Sequence, residues 1–447
     1  MLKHRLLKRG MYSCLFVFLC IVLFSSDAST KVWEYTLDNG LKILITEDHK
    51  AALATFQIWY RVGSRNEPAG KRGISHLLEH MMFKGTQKYG SKVFSRLVQK
   101  NGGMDNAFTA KDYTTYFQTL PSDRIHLSIE LESDRMQNLL LLSDDVRYER
   151  SVVIEERRMR YEDDPQSSLY EEVVATAFKV HPYHNPVIGW MSDIASIDSE
   201  DLVFHYKNFY SPDNAVIVVS GDVTAEELFE KIKKMFGTIS KGKQRVPVTS
   251  KEPPQRGEKR VSLKKEAKLP YILAAYHVPS FPHEDSIPLD VLSTILSGKS
   301  GRLYKALVRE GKIALNVFAS YDGFTIDPYL FFLGGTAAPD REIEALEKAL
   351  FAEIEKIRIT PPSDREVQKA KNQAEASFIM SQDSIFYQAY IIGMFEMLGD
   401  WRLKDRYLEE IKKITPEDVQ RVVKKYFSKE NRTVGILIPE NRYKATD

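Results

Sequence analysis

Cysteine is almost absent from this sequence. Its 447 residues contain 2, Cys14 and Cys20, and both sit in an apolar run near the N-terminus. The rest of the chain therefore offers no disulfide framework, no thiolate metal ligand and no cysteine nucleophile. An excess of one charge is also missing: Lys+Arg is 63, Asp+Glu is 61, and the net charge is +2. That excludes binding driven by a global basic excess, as nucleic acid would require. No internal run approaches the roughly 18 apolar residues of a membrane-spanning helix, which excludes a polytopic membrane protein. Apolar side chains as such are plentiful. The chain is 43% hydrophobic and 11% aromatic, enough to build cores and to exclude wholesale disorder. Its length suggests about two to four domains.

The N-terminus reads as a leader. Lys3, Arg5, Lys8 and Arg9 form a basic head, Tyr12 to Phe24 is an almost unbroken apolar stretch, and Ser26 and Ala28 supply a small-x-small site. This pattern predicts a secretory signal peptide over residues 1–28, cut after Ala28. A retained anchor is the alternative, but 13 apolar residues are short against about 30 Å of hydrocarbon. A mitochondrial transit peptide would be amphipathic rather than solidly apolar. Cys20, between Leu19 and Ile21, is poorly placed for a lipoprotein cysteine. Removing residues 1–28 takes away four Lys/Arg and one Asp, leaving 59 basic and 60 acidic residues, a net of −1, and no cysteine. The expected address is across a bacterial inner membrane, in the periplasm, with no stable membrane span after signal removal.

The remainder falls into two halves, 29–240 and 261–447, joined by a stretch at 241–260 rich in Lys, Pro, Ser, Gly and Gln that reads as a linker. In the first half, strand-like residues from Trp33 to Thr46 are interrupted by Asp38-Asn39-Gly40, a hairpin signal. A strand at Ala54 to Val62 precedes helical patterns at Gly73 to Phe83 and Lys92 to Gln99, the latter stopped by Gly102-Gly103. Met104 to Thr109 and Thr114 to Leu120 read as strands. One long helical region is expected from Arg124 to Arg160, then a strand at Val216 to Ser220 and a helix at Ala225 to Phe236. The second half repeats the theme: strands at Ile272 to His277, Asn316 to Tyr321 and Tyr329 to Gly334, with helices at Ile287 to Leu296, Arg341 to Ile357 and Asp364 to Gln382. The expected class is α+β, two similar domains of mixed sheet plus helices related by duplication.

The chemistry concentrates at His76, Glu79 and His80. In a helix the two histidines are i and i+4 and project from one face, about 5–6 Å apart at Cβ, so both imidazoles can share one zinc ion. Glu79 lies beside that face, where a carboxylate can serve as general base toward a water that the metal activates. Catalytic zinc usually takes three protein ligands and keeps one position open. The helical segment from Tyr148 to Met159 offers Glu149, Glu155 and Glu156 as candidates for the third. Glu149 and Glu156 are seven apart, two turns on one face; Glu155 lies about 100° around. The other histidines have no such spacing. His181 and His184 flank Pro182-Tyr183 in a loop, and His49, His126, His205, His277 and His283 read as surface or satisfied core positions. Met81-Met82-Phe83 reads as core beneath the motif. The segment from Gly298 to Leu303 is no phosphate loop, because it lacks the GxxxxGK[ST] spacing.

His-x-x-Glu-His followed by a glutamate with 75 residues between them, in the context Val153-Ile154-Glu155-Glu156, resembles the pitrilysin/insulinase family of inverted zinc metallopeptidases, in its short two-domain bacterial form. Gly102-Gly103-Met104-Asp105-Asn106-Ala107-Phe108-Thr109, the run from Asp112 to Tyr116, and the run from His181 to Gly189 are similar to that family's first domain. The resemblance implies one Zn2+ per chain held by His76, His80 and Glu156, with Glu79 as the general base. Glu149 would orient a ligand through hydrogen bonds. Asn106, Ala107, Phe108 and Thr109 would form an edge strand to which substrate peptide adds. The implied activity is hydrolysis of peptides or unfolded protein segments, and the implied fold is half of a clamshell chamber. Zinc is inferred from ligand type, and manganese or cobalt would substitute in vitro.

The second half lacks the motif, as the resemblance implies for an inactive repeat. Active relatives often supply an Arg there, and six or seven residues on a Tyr that binds the substrate carbonyl. Arg309 is present, but the Tyr position holds Leu315 or Asn316. Family chambers are built from four such domains and this chain has two. A dimer is therefore expected, either a homodimer or a heterodimer whose homologous partner supplies the Arg/Tyr pair. The rival expectation is a non-catalytic, zinc-stabilised binding or assembly subunit.

Overall fold

The structure is a computed structural model that describes residues 31–440. The leader read at residues 1–28, with Cys14 and Cys20, lies outside the described residues. Among the described residues no helix is long and apolar enough to cross a membrane.

The class is α+β. The first sheet holds β1 (Val32–Thr36), β2 (Lys42–Glu47), β3 (Leu53–Tyr60), β4 (Met104–Thr109), β5 (Thr114–Pro121) and β6 (Ala215–Gly221). Its spatial order is β1-β2-β6-β3-β5-β4. The second holds β7 (Lys259–Lys265), β8 (Tyr271–Val278), β9 (Ala314–Tyr321), β10 (Tyr329–Ala337) and β11 (Arg432–Pro439) in the order β7-β11-β8-β10-β9. In each sheet one pair is parallel, β2 with β6 and β7 with β11, and the other pairs are antiparallel. Reading β2-β6-β3-β5-β4 against β7-β11-β8-β10-β9 matches every neighbour and every direction, so the halves share one topology and β1 is an addition to the first.

The hairpin signal is realised between β1 and β2. Gly40 takes φ +88°, and the buried Asn39 amide donates to the carbonyls of Phe236 and Ile239 at 2.8 and 2.9 Å. The turn is thereby tied to the end of the helix Ala225–Phe236. The long helical region expected from Arg124 to Arg160 is helical but interrupted. Helices His126–Asn138 and Ser143–Arg157 flank a break at 139–142, and a π-helical turn follows at Arg158–Glu162. Leu139 and Leu142 are extended (ψ 131° and 136°). Leu139 and Leu141 are buried while Leu142 is exposed, and the Leu140 amide donates to the Gly85 carbonyl. Burying alternate leucines favours an extended run over another helical turn.

The halves interlock by exchanging helices. Helix Pro165–Ala177 of the first half packs on β7, β8 and β11, and helix Ile385–Met397 of the second packs on β3 and β6. Both contacts need glycine. A Cβ on Gly435 would lie 2.3 Å from Val173 Cγ2, and one on Gly393 would lie 2.3 Å from Trp59 Cε2. The sequence patterns above pass over both helices. The first nonetheless opens on Asp164-Pro165, with the Asp164 carboxylate accepting from the Gln166 and Ser167 amides, a start signal visible in the sequence. A polar clasp reinforces the interlock. Arg65 Nε donates to Asp327 Oδ2 at 2.6 Å and His181 Nε2 to the same oxygen at 3.0 Å, while the Tyr183 hydroxyl donates to Asp112 at 2.7 Å. Residues 241–258 carry neither helix nor strand, and the Glu252 carboxylate in this stretch accepts from the amides of Lys179, Val180 and His181.

Candidate metal centre

The motif helix, Ile74–Met81, buries Ile74, Ser75, Leu77, Leu78 and Met81. These apolar positions hold it against the core and turn His76, Glu79 and His80 to the opposite side. Two features set its first turn. The buried Glu67 carboxylate accepts from the Gly73 and Ser75 amides, both at 2.8 Å, satisfying donors that a helix N-terminus otherwise leaves orphaned. Gly73 takes φ +93° and lies against Gly189 at φ +91°; a Cβ on Gly73 would sit 2.3 Å from the Ile188 carbonyl oxygen, and one on Gly189 2.1 Å from that of Arg72. The glycine that ends the run from His181 is thus a seat for the motif helix.

The helix Ser143–Arg157 packs across it. Glu156 Oε2 lies 3.4 Å from His80 Nε2 and 3.9 Å from His76 Nε2. One ligand atom from each of His76, His80 and Glu156 falls within 4.8 Å of the others. Tetrahedral zinc with bonds of about 2.0–2.1 Å separates its ligands by roughly 3.3 Å, so this donor set closes on such an ion with small adjustments. Two imidazoles and a carboxylate are also donors that zinc favours. The side chains are 12%, 22% and 15% exposed, so the cluster is open to solvent on one side. Glu149 accepts from His80 Nδ1 at 3.0 Å, which fixes the tautomer that leaves Nε2 for the metal, and Lys84 pairs with the other Glu149 oxygen. Glu155 points elsewhere, exposed and paired with Arg158.

Electrostatics separate the two histidines. Burial, and then the neighbouring His80, hold His76 down at about 4. Burial would lower His80 as well, but Glu149 and Glu156 outweigh it and push it up to about 9. The Glu79 carboxyl is raised by burial, against an opposing hydrogen bond from Thr109. That bond runs from Thr109 Oγ1 to Glu79 Oε2 at 2.5 Å. Arg160, one turn beyond Glu156, donates to its second oxygen at 3.0 Å. Neither the Thr109 contact nor the Glu67 cap was visible in the sequence. Arg160 at i+4 from Glu156 was a signal that could have been read.

Strand β4 lies beside the motif helix and, among the described residues, pairs only with β5, so that its far edge has no strand partner there. Its side chains alternate. Asp105, Ala107 and Thr109 turn toward the motif-helix layer, where Ser95 binds Asp105 and Ala107 joins the first core. Phe108 turns to the other layer, against Trp59, Tyr113 and Tyr390. Asn106 is exposed and its side-chain oxygen accepts from the Ala107 amide. Arg309 is not brought to the cluster: it is exposed in the second half and pairs with Glu310. Leu315 is exposed on β9, and Asn316 Oδ1 accepts from the Thr336 amide at 3.2 Å. The remaining histidines have other partners. His205 Nε2 meets Ser75 Oγ at 3.1 Å, His277 meets the Ala177 carbonyl at 3.1 Å and His49 meets Asp222 at 2.7 Å.

The family model "Insulinase (Peptidase family M16)" matches residues 42–190, and "Peptidase M16 inactive domain" matches residues 196–374. The zinc protease PqqE of Helicobacter pylori is 33% identical over 446 residues, covering 98% of this chain and 100% of that protein. The uncharacterized zinc protease YmxG of Bacillus subtilis is 25% identical, over 91% of this chain and 98% of its own length. Among solved structures, a protease from Helicobacter pylori superposes with a TM-score of 0.88 at 33% identity, over 92% of this chain and all of that one. The periplasmic protease PqqL of Escherichia coli superposes at 0.76 and 18% identity, over 92% of this chain but 48% of its own.

Proposed function

This chain belongs to the insulinase family of peptidases, M16, and from that premise we propose that it is a zinc metalloendopeptidase acting on peptides or unfolded protein segments. The observation that carries the reading is the convergence of His76, His80 and Glu156 within 4.8 Å of one another, with Glu79 beside them. His76 Nε2, His80 Nε2 and Glu156 Oε2 would hold one zinc ion, which when bound supplies Lewis acidity toward a water and toward the scissile carbonyl. Glu79 takes a proton from the water and returns it to the leaving amide nitrogen, and its raised pKa suits a group that does both. Glu149 holds His80 in the ligating tautomer. The free edge of β4 gives an extended substrate main-chain hydrogen bonds, which aligns a peptide without demanding one side-chain sequence.

The same reading takes residues 29–240 as the zinc-bearing domain, 241–260 as linker and 261–447 as the inactive repeat, behind a signal peptide that directs the protein to the periplasm. It also takes the working form as a dimer with a homologous subunit. The exposed pairing of Arg309 with Glu310 and the absence of a tyrosine at 315 or 316 support a partner that completes the carbonyl site. PqqL, twice this chain's length by coverage, joins two such lengths in one polypeptide.

The test is hydrolysis of a mixed unstructured peptide library by the purified protein, with and without zinc, beside Glu79→Gln. General-base catalysis contributes about 10²–10⁴-fold, so the variant is expected to lose at least a hundredfold while still binding one zinc. A variant as active as the parent refutes the assigned base. A zinc-loaded protein inert alone and with every homologous partner coexpressed with it would instead support a non-catalytic subunit.

A further inference from the structure

We propose that Thr109 is a positioning residue for Glu79, so that the strand receiving the substrate also aims the general base. The proposal rests on the reading of Glu79 above and goes beyond it. Thr109 is the last residue of β4, and its side chain turns away from the free edge toward the motif helix. Its hydroxyl donates to Glu79 Oε2 at 2.5 Å, and among the described residues no other hydrogen bond holds that carboxylate. A glutamate has three side-chain torsions and sweeps a wide arc when its end is free. Anchoring one oxygen leaves the other at a set place beside His80, where a carboxylate must lie within about 2.6–3.2 Å of the proton it removes. The anchor is also well placed in the chain. Thr109 pairs with Thr114 across the β4–β5 turn, and the Thr114 hydroxyl donates to the Val62 carbonyl at 2.9 Å. The Thr109 hydroxyl is therefore carried by a backbone bonded into the sheet. A peptide adding to the outer edge of β4 takes its register from the same backbone. Substrate carbonyl and base then share one frame, and a misplacement of about 1 Å is enough to cost a hundredfold in rate.

The role differs from peptide binding. The Thr109 hydroxyl faces Glu79, and main-chain pairing along the edge does not use it. Thr109→Val keeps the shape and the strand propensity while removing the donor; Thr109→Ser keeps the donor. Four quantities separate the possibilities: kcat, KM, zinc per chain, and the affinity of the metal-free protein for an intact test peptide by fluorescence anisotropy. Thr109→Val is expected to lower kcat about 10- to 100-fold, the scale of a hydrogen bond to a charged group. Zinc stays at one per chain, and KM and metal-free peptide affinity stay within about twofold. Thr109→Ser is expected to recover most of kcat. Wild-type kcat in Thr109→Val overturns the proposal. So does a loss confined to KM and peptide affinity, which would make Thr109 a binding contact, and so does an equal loss in Thr109→Ser, which would make it packing. Glu79→Gln is measured alongside: if it retains activity the reading of Glu79 fails and this proposal with it, whereas a dead Glu79→Gln beside a fully active Thr109→Val refutes this proposal alone.

Discussion

The helix His126–Asn138 carries a buried ion pair whose disruption has a calculable consequence. Arg135 and Glu132 are 2% and 0% exposed. Arg135 Nε and Nη2 donate to the two Glu132 oxygens at 2.7 and 2.6 Å, and Gln118 donates to the same carboxylate at 2.6 Å. The guanidinium carbon stands 4.4 Å from the ring centre of Phe94 and 4.3 Å from that of Tyr116. Burial would lower the Arg135 pKa, but Glu132 reverses the direction and keeps it charged. Substituting Glu132→Gln strands a guanidinium with no exit to solvent, and breaking a buried pair in this way costs about 3–5 kcal/mol. The aromatic faces soften that penalty by roughly 1–2 kcal/mol, so about 1–4 kcal/mol is expected. The double substitution Glu132→Leu with Arg135→Met removes both charges and keeps apolar volume. Its main residue is the Gln118 amide left without an acceptor, about 1–3 kcal/mol. The double variant should therefore be no less stable than Glu132→Gln, although it changes more atoms. Arg135→Met alone, which strands the carboxylate, completes the cycle. Urea unfolding followed by circular dichroism and tryptophan fluorescence measures all four proteins. Single substitutions that each cost under about 1 kcal/mol, or a double variant equal to the sum of its singles, would refute the reasoning.

Two further outcomes follow from other sites. In the metal-free protein the folded pKa of His80 is raised to about 9, so its ion pairing stabilises the fold fully below about pH 6.5 and is lost as pH rises through about 9. Zinc must displace that proton; its apparent affinity should climb about tenfold per pH unit across this window and level near pH 9. Glu149→Gln should bring the levelling to lower pH, and chelator competition at several pH values that gives a flat profile would contradict the assignment. At the interlock, Gly393→Ala places a methyl 2.3 Å from Trp59 Cε2 and should cost about 1–3 kcal/mol, read as an earlier thermal transition with altered Trp59 fluorescence; an unchanged melt would mean the helix can shift freely.

Local pattern carried much of the fold. The hairpin before β2, the strands β3 to β5 and the helix at the His-x-x-Glu-His motif were legible because alternation, glycine turns and helical spacing act over a few residues. The helix Pro165–Ala177 and its counterpart Ile385–Met397 were not, because each packs on the other half's sheet and its apolar face has no partner nearby in the chain. The four leucines at 139–142 continue a helical composition, and only the bond from Leu140 to Gly85 and the burial of alternate side chains make them extended.

At the centre the division is sharper. The sequence by itself determined that two imidazoles and a carboxylate share one helical face, since i, i+3 and i+4 leave little freedom. It also restricted the candidates for a third ligand to three glutamates on one segment. Which of them arrives was decided by how the helix Ser143–Arg157 crosses the motif helix, and that crossing depends on burying Val146 and Val153 and on the glycine pair at 73 and 189. The Lys84 partner of Glu149 and the Thr109 hydroxyl on Glu79 belong to tertiary structure alone. They join residues whose only relation is that the packed sheet and helices leave a donor facing an acceptor, and side-chain hydrogen bonds across such distances in the chain have no periodicity for a sequence to reveal.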